Sequence, residues 1–300
     1  MVPRRFEYYA PATVAEAALL LREHAGDAKV LAGGMSLIPL MKMRLASPGH
    51  IVDINRISDL EYIKESEDKK SLLLGSLARH HAIESSPLVR DRARLLAETA
   101  SLIGDPQVRN LGTIGGSLAH SDPSGDWGAA IIAMRGSVSV VGPSGGRMVP
   151  VDEFLLDTFA TALMEDEIIT EVIVPFPPGR RSGGAYQKLE RKAGDFATVA
   201  VAAQVSFDEK MVCTSAGIGL TALGPKNLRA VGAEEALLGR EATDQVIEEA
   251  AAAAARECSP TDDPLRGSAK YKRQMAVVFT RRALRSAVQR ARAGRGGKDK

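Results

Sequence analysis

The sequence predicts two folded units in series, a mixed α/β unit of about 175 residues and an α+β unit of about 105, joined by a proline-rich linker. Three observations lead there. Before residue 175, short apolar runs alternate with segments of helical spacing. The stretch Pro175-Phe-Pro-Pro-Gly179, continued by Arg180 to Gly184, breaks that alternation. Beyond it, strands come first and helices afterwards, the order of a separate α+β unit. A chain of 300 residues has room for both units, and 45% hydrophobic with 25% charged residues supports packed cores and excludes wholesale disorder. Aromatics are only 4% while Gly numbers 28 and Pro 15, so the core is expected to be small and aliphatic and the turns many.

The first helix opens at Thr13, with Glu16 three residues on as a capping box and Val14, Ala18, Leu21 and Ala25 on one face; Gly26-Asp27 stops it. Lys29 to Ala32 reads as a buried strand running into Gly33-Gly34, after which an apolar stretch is able to start a short helix. Ile51 to Ile54 is a second strand. Two strand-like runs between Tyr62 and Gly75 flank Glu67-Asp-Lys-Lys70 as a hairpin. Pro87 to Ser101 has helical spacing, followed by a glycine-punctuated loop. Ser124 to Met134 reads as helix, and Ser137 to Val141 and Ile168 to Val174 as strands. After the linker come strands at Ala185–Leu189, Val199–Ser206 and Val212–Leu220, then helices at Val231–Leu238, Thr243–Cys258 and Gly267–Ala291. In the last helix Tyr271, Met275, Val278 and Phe279 share a face with Arg282, which must find a partner or reach water.

Several functions are excluded by what is missing. No apolar run approaches the roughly 20 residues of a membrane span, and the start has no signal-peptide character, so a soluble cytosolic chain is expected. Cys213 and Cys258, 45 residues apart, read as buried small hydrophobes; two thiols are too few for an iron–sulfur cluster, which usually takes four. No Cys-x-x-Cys, His-Glu-x-x-His or Walker A spelling occurs, and no nucleophile elbow is expected. His80-His81, placed on a strand, would point to opposite faces and not chelate together. Gly217-Ile-Gly219-Leu-Thr-Ala222 spells a dinucleotide fingerprint, but the strand-like pattern continues through it and Gly224-Pro225 ends it, so it reads as a glycine-rich strand.

Charge is unevenly spread. Residues 266–300 hold 12 basic and one acidic residue, and the other 265 hold 27 basic and 36 acidic, so +11 at the end offsets −9 elsewhere. No aromatics interleave with the last charges, which argues against nucleic acid. The basic stretch reads as a solvated helix end with a frayed tail, or as a dock for an acidic partner carried by a row that includes Arg281 and Arg285.

The positive signal is a pair of diglycines. Ala32-Gly33-Gly34-Met35-Ser36-Leu37 and Thr113-Ile114-Gly115-Gly116-Ser117-Leu118 lie 82 residues apart, and each carries a serine close behind its glycines. A diglycine lets backbone approach a ligand and turn N–H groups toward an anion, and Ser36, Thr113 and Ser117 add neutral donors. Two such loops converging would hold a pyrophosphate without a nearby Lys or Arg.

Lys29-Val-Leu-Ala-Gly-Gly-Met-Ser-Leu-Ile-Pro-Leu-Met-Lys-Met-Arg44, followed by Val52-Asp-Ile54, resembles the first FAD-binding segment of the medium (flavoprotein) subunits of molybdenum hydroxylases, the xanthine dehydrogenase and aerobic carbon monoxide dehydrogenase family. Asp105-Pro-Gln-Val-Arg-Asn-Leu-Gly-Thr-Ile-Gly-Gly-Ser-Leu-Ala-His-Ser-Asp-Pro-Ser-Gly-Asp126 is similar to the second segment, and its approach Ser101-Leu-Ile-Gly-Asp-Pro-Gln107 is most like the carbon monoxide dehydrogenase branch. Tyr186 to Ala197 resembles the flavin-side loop, and Pro264 to Arg273 continues the likeness into the last helix. Departures are Met35, where relatives often carry Gln or His, Ser117, where many carry Asn, and Phe196 in place of a frequent Tyr.

The resemblance implies a vanillyl-alcohol-oxidase (PCMH)-type FAD-binding domain over 1–176, made of two α/β subdomains (about 1–57 and 58–176). A C-terminal domain of small antiparallel sheet plus helices would follow over 184–292, then a basic disordered tail at 293–300. By position it implies that Leu31, Ala32, Gly33, Gly34, Met35, Ser36 and Leu37, with Thr113, Ile114, Gly115, Gly116 and Ser117, surround the pyrophosphate of FAD. Asp126 would lie toward the nucleotide side, and Ile169 and Lys188 by the adenine or the isoalloxazine. No residue reads as a catalytic base or nucleophile and none as a metal ligand, which suits a protein that holds a redox cofactor. The implied partners are a small subunit with [2Fe-2S] clusters and a large molybdopterin subunit, in a dimer of heterotrimers. The implied site is the cytosol, with the complex able to sit at the inner face of the membrane. A stand-alone flavin oxidase would need a base and substrate pocket in this chain, and a scaffold that had lost FAD would not need both glycine loops intact.

Overall fold

A computed structural model describes residues 2–294. The chain opens with strand β1 (Glu7–Tyr9), helix α1 (Val14–Glu23), β2 (Ala28–Leu31), α2 (Leu37–Lys42) and β3 (His50–Asp53). The three strands form a parallel sheet in the order β1-β3-β2. Thr13 caps α1 as its spacing predicts: its hydroxyl accepts from Glu16 N at 3.2 Å, and Glu16 reaches back to Ala12 N at 2.9 Å.

Next come β4 (Ile63–Glu65), β5 (Ser71–Gly75) and six helices: α3 (His80–Ser85), α4 (Pro87–Arg92), α5 (Arg94–Ser101), α6 (Pro106–Leu111), α7 (Ile114–His120) and α8 (Asp126–Ala133). Strands β6 (Ser137–Gly142) and β7 (Gly145–Pro150) form a hairpin. A turn of helix, α9 (Val151–Phe154), and a small ribbon of β8 (Leu155–Asp157) and β9 (Ala160–Thr161) lead to β10 (Ile168–Pro175). Although the last of its five strands in chain order, β10 is central in an antiparallel sheet ordered β4-β5-β10-β6-β7, which is why Val172 and Val174 are fully buried.

The remaining strands, β11 (Ser182–Leu189), β12 (Val199–Phe207), β13 (Cys213–Thr221) and β14 (Leu228–Arg229), form an antiparallel meander followed by α10 (Val231–Leu237), α11 (Asp244–Glu257) and α12 (Ala269–Ala293). Both faces of this sheet are covered. Ala200 and Ala202 of β12 join the core built around Trp127 of α8, while Val199, Val201, Ala203 and Val205 join the core with α10, α11 and α12. A strand buried on both sides has no polar face to show, so β12 reads as an unbroken apolar run.

Several expectations are corrected. Strand β11 starts at Ser182, inside the stretch read as linker, and Gly183 there packs directly against the backbone of α12. The segment Pro87–Ser101 is two helices, broken at Ala93. The glycine-punctuated loop contains α6 and α7, and His80 opens a helix instead of lying on a strand. Gly217 and Gly219 are strand residues of β13, as read. A Cβ on either would run into the carbonyl of Ala133 or Ala129, so they exist to let α8 lie on the sheet. The pattern Gly142-Pro-Ser-Gly-Gly146 does spell a nucleophile elbow, against expectation, but it is the exposed β6–β7 hairpin turn and lacks the strand-to-helix geometry an elbow needs. Of the basic tail read at 293–300, Ala293 closes α12 and Gly294 caps it; residues 295–300 lie outside the described residues.

Candidate functional site

The two diglycine loops meet. The first follows β2, the second leads from α6 into α7, and Gly33 lies so close to Leu111 and Gly112 that a Cβ would overlap the Leu111 carbonyl. A Cβ at Gly116 would stand 3.7 Å from that of Ala32. Gly34 has φ +72°, a left-handed value that glycine adopts without strain.

The loops offer different things. In the first, among the described residues, the N–H groups of residues 33–37 have no protein acceptor. In the second, the donors are already engaged. Ile114 N donates to Ala78 O (3.1 Å), Gly115 N to Ser76 O (2.9 Å), Gly116 N to Thr113 Oγ1 (3.1 Å) and Ser117 N to Thr113 O (3.0 Å). Its contribution is therefore the hydroxyls of Thr113 and Ser117 and the bare face of Gly116, not a row of amides. Gly116 also has no positive φ; it sits in a helical turn where closeness excludes a side chain.

Residues that sequence reasoning passed over support this seam. Arg79 stands opposite Thr113 in an isolated antiparallel bridge and donates to Leu111 O at 2.5 Å, so a cation is present where none was expected. His80 N donates to Gly112 O (3.0 Å), and the His80 ring fills the space where a Gly112 side chain would be. Trp127 Nε1 donates to His80 Nδ1 at 3.1 Å, which requires a neutral ring. Burial, with Arg79 and Arg109 adding to it, lowers the His80 pKa from 6.5 to about 3. Ser76 Oγ is buried beside Gly115 with no hydrogen-bond partner among the described residues. Only Asp105 ahead of Pro106, an N-cap followed by proline, signalled in the sequence that α6 precedes the second loop.

Asp126 and Lys188 are brought together. Asp126 begins α8, and its Oδ2 accepts from Lys188 Nζ at 3.0 Å while Oδ1 accepts from Tyr186 at 2.6 Å. Lys188 also donates to Leu102 O at 2.9 Å and lies 3.5 Å from Glu190. Burial pushes the Asp126 carboxyl above its ordinary range, against the pull of Lys188 and Tyr186, and pushes the Tyr186 phenol well up. Ile169 is not beside them: it is buried in β10, next to the bulge where Thr170 O accepts from Ser76 N at 3.0 Å, and so connects to the second loop through Ser76.

Free amides, small hydroxyls, a Cβ-free gap, an unpartnered buried hydroxyl and one cation suit the diphosphate of a dinucleotide. Together with a PCMH-type domain and a C-terminal sheet-and-helix layer, they define a flavin-dinucleotide-binding protein. Two family profiles match in succession, "FAD binding domain in molybdopterin dehydrogenase" over residues 4–177 and "CO dehydrogenase flavoprotein C-terminal domain" over residues 184–287. The chain belongs to this family of FAD-binding subunits of molybdenum-dependent oxidoreductases, and its cofactor is FAD. It is 45% identical to the carbon monoxide dehydrogenase medium chain of Hydrogenophaga pseudoflava over 97% of this chain and 99% of that one. Identity to the medium chain of Afipia carboxidovorans is 37%, over 97% and 100%. The structure of carbon monoxide dehydrogenase from Hydrogenophaga pseudoflava lacking the Mo-pyranopterin moiety superposes with TM-score 0.93, at 46% identity, covering 97% of this chain and 99% of that one. Quinoline 2-oxidoreductase from Pseudomonas putida 86 gives 0.90 at 29% identity, over 97% and 99%. No helix among the described residues is long and apolar enough to cross a membrane.

Proposed function

We propose that the chain is the FAD-carrying medium subunit of a complex of the aerobic carbon monoxide dehydrogenase type, standing between the [2Fe-2S] clusters of a small subunit and an external electron acceptor. A large molybdopterin subunit would complete a heterotrimer, two of which pair. The single observation that carries the reading is the approach of the two glycine loops, with Gly116 facing Ala32 and five amides of the first loop unpartnered among the described residues. FAD, when bound, supplies the redox chemistry. This chain's residues bind and orient it: residues 31–37 with Thr113 to Ser117 take the diphosphate. The buried Asp126–Lys188 pair with Tyr186 fixes the C-terminal sheet against α8, and Ile169 is buried in β10 beside Thr170, which links to the second loop through Ser76. The proposed working units are 1–176, with parts 1–57 and 58–176, and 184–292. The location proposed is the cytosol, at the inner membrane face when the complex docks there.

Both cysteine thiols are buried and held up by that burial, Cys213 to about 11 and Cys258 to about 12, which suits neither cluster ligation nor redox exchange. The test is co-expression with small and large subunits. Carbon monoxide oxidation should appear only in the assembled, flavin-loaded complex, and the purified chain alone should be yellow and inactive. Turnover by the metal-free chain alone would favour a stand-alone oxidase.

A further inference from the structure

The first glycine loop begins at Ala32, directly after β2, and the Ala32 carbonyl accepts from Asn55 Nδ2 at 2.8 Å. The second is preceded by Leu111, whose carbonyl accepts from Arg79 Nη1 at 2.5 Å. These two side chains are joined to each other, Arg79 Nη2 donating to Asn55 Oδ1 at 2.7 Å. A continuous hydrogen-bonded path of two side chains therefore connects the backbone of one loop to that of the other. Both ends of the path are anchored. Asn55 donates to Asp53 Oδ1 through its backbone N (2.9 Å) and Nδ2 (2.6 Å), and Tyr8 holds the other Asp53 oxygen at 2.7 Å. The Arg79 backbone is pinned opposite Thr113, with Ala78 and His80 bonded to Ile114 and Gly112 on either side.

We propose that Asn55 and Arg79 form a clamp that sets the spacing of the two glycine loops and so fixes the cradle for the diphosphate; the inference rests on the reading of those loops given above. Both are positioning residues. Asn55 suits the task because one amide presents a donor to Ala32 O and an acceptor to Arg79. Arg79 suits it because a planar guanidinium holds two acceptors at fixed angles, whereas an ammonium on a flexible stem does not. Ala32 packs on the core that includes α1, whereas Ile114, three residues past Leu111, belongs to the core around Trp127, and the clamp spans the two.

The experiment measures FAD and ADP binding to the full chain after removal of flavin, for wild type, Asn55→Ala, Arg79→Gln, Arg79→Lys and the double variant Asn55→Ala/Arg79→Gln. Thermal melting of each flavin-free chain is followed alongside. Each single change should weaken both ligands about ten- to a hundredfold, the range expected for lost hydrogen bonds to a charged group. The double variant should be no weaker than the worse single one, because either change opens the same path. Arg79→Lys should fail to rescue, and melting temperatures should stay close together. Wild-type affinity in the single variants, fully additive losses, rescue by lysine, or losses that merely track melting temperature would each overturn the clamp while leaving the cradle in place. Absence of FAD and ADP binding to the wild-type chain would overturn the cradle and the clamp with it.

Discussion

Tyr186 and Asp126 meet across the seam between the two halves of the chain: the phenol on β11 donates to the carboxylate at the start of α8 at 2.6 Å. Lys188, two residues along the strand and on the same face, takes the other oxygen. The Lys188 side chain is only 2% exposed and that of Asp126 5%, so neither charge has water to fall back on.

Lys188→Met should therefore destabilise the chain by about 3–5 kcal/mol, since it strands a buried carboxylate. Tyr186→Phe removes one hydrogen bond and should cost about 1–3 kcal/mol. Chemical denaturation of the two variants gives both numbers, and the order of the two losses is the check.

His80 makes stability depend on pH. Its folded pKa of about 3 lies below the ordinary 6.5, so the unfolded chain binds a proton that the folded chain refuses. Stability from this residue is complete above about pH 6.5 and is lost as pH falls toward 3, with a slope of at most about 1.4 kcal/mol per pH unit. His80→Gln keeps an acceptor for Trp127 and should flatten the acid limb by one proton, read from denaturation midpoints between pH 4 and 7.

The arginine row of α12 is less available for steering than its sequence suggests. Arg281 lies 3.1 Å from Glu248 and Arg285 3.0 Å from Asp244, both on α11 of the same unit. Assembly rates with partner subunits should show the same salt dependence for wild type and for Arg281→Gln/Arg285→Gln. A steeper slope in the wild type would restore the steering role.

Glu234 also joins the two halves of the chain. It is 2% exposed, accepts Ile218 N at 3.0 Å, and pairs with Arg135 at 2.7 Å and Arg229 at 3.0 Å. Glu234→Ala leaves the buried Ile218 N–H without its acceptor and takes one acceptor from Arg135 and Arg229, which keep Ala216 O and Asp152, so a loss of about 1–3 kcal/mol is expected in denaturant titration.

Elements whose signal is local were legible. The Thr13 capping box, the strand entering Gly33-Gly34 and the long periodic helices α11 and α12 all follow from spacing alone. Helix α7 was not, because Gly115 and Gly116 argue for a loop; the turn forms since Thr113 caps it and Ser76 and Ala78 take its first amides, contacts that only the tertiary fold supplies. The site was half legible. Glycines and hydroxyls advertise themselves in sequence, whereas Asn55, Arg79 and His80 act by holding loops distant in the chain, and nothing local marks an arginine as a bridge. Lys188 and Asp126 were both placed by resemblance, but their pairing follows only from the C-terminal sheet lying against α8 through β12 and β13.

The proposed holding of FAD by the two loops together is tested most directly by the flavin content of Gly116→Val. The new Cβ would stand 2.8 Å from Thr113 Oγ1, and the valine methyls would extend into the gap facing Ala32. The wild type should purify with close to one FAD per chain and the folded variant with essentially none, by absorbance in the flavin bands against protein. A correctly folded Gly116→Val chain with a full complement of FAD would contradict the account.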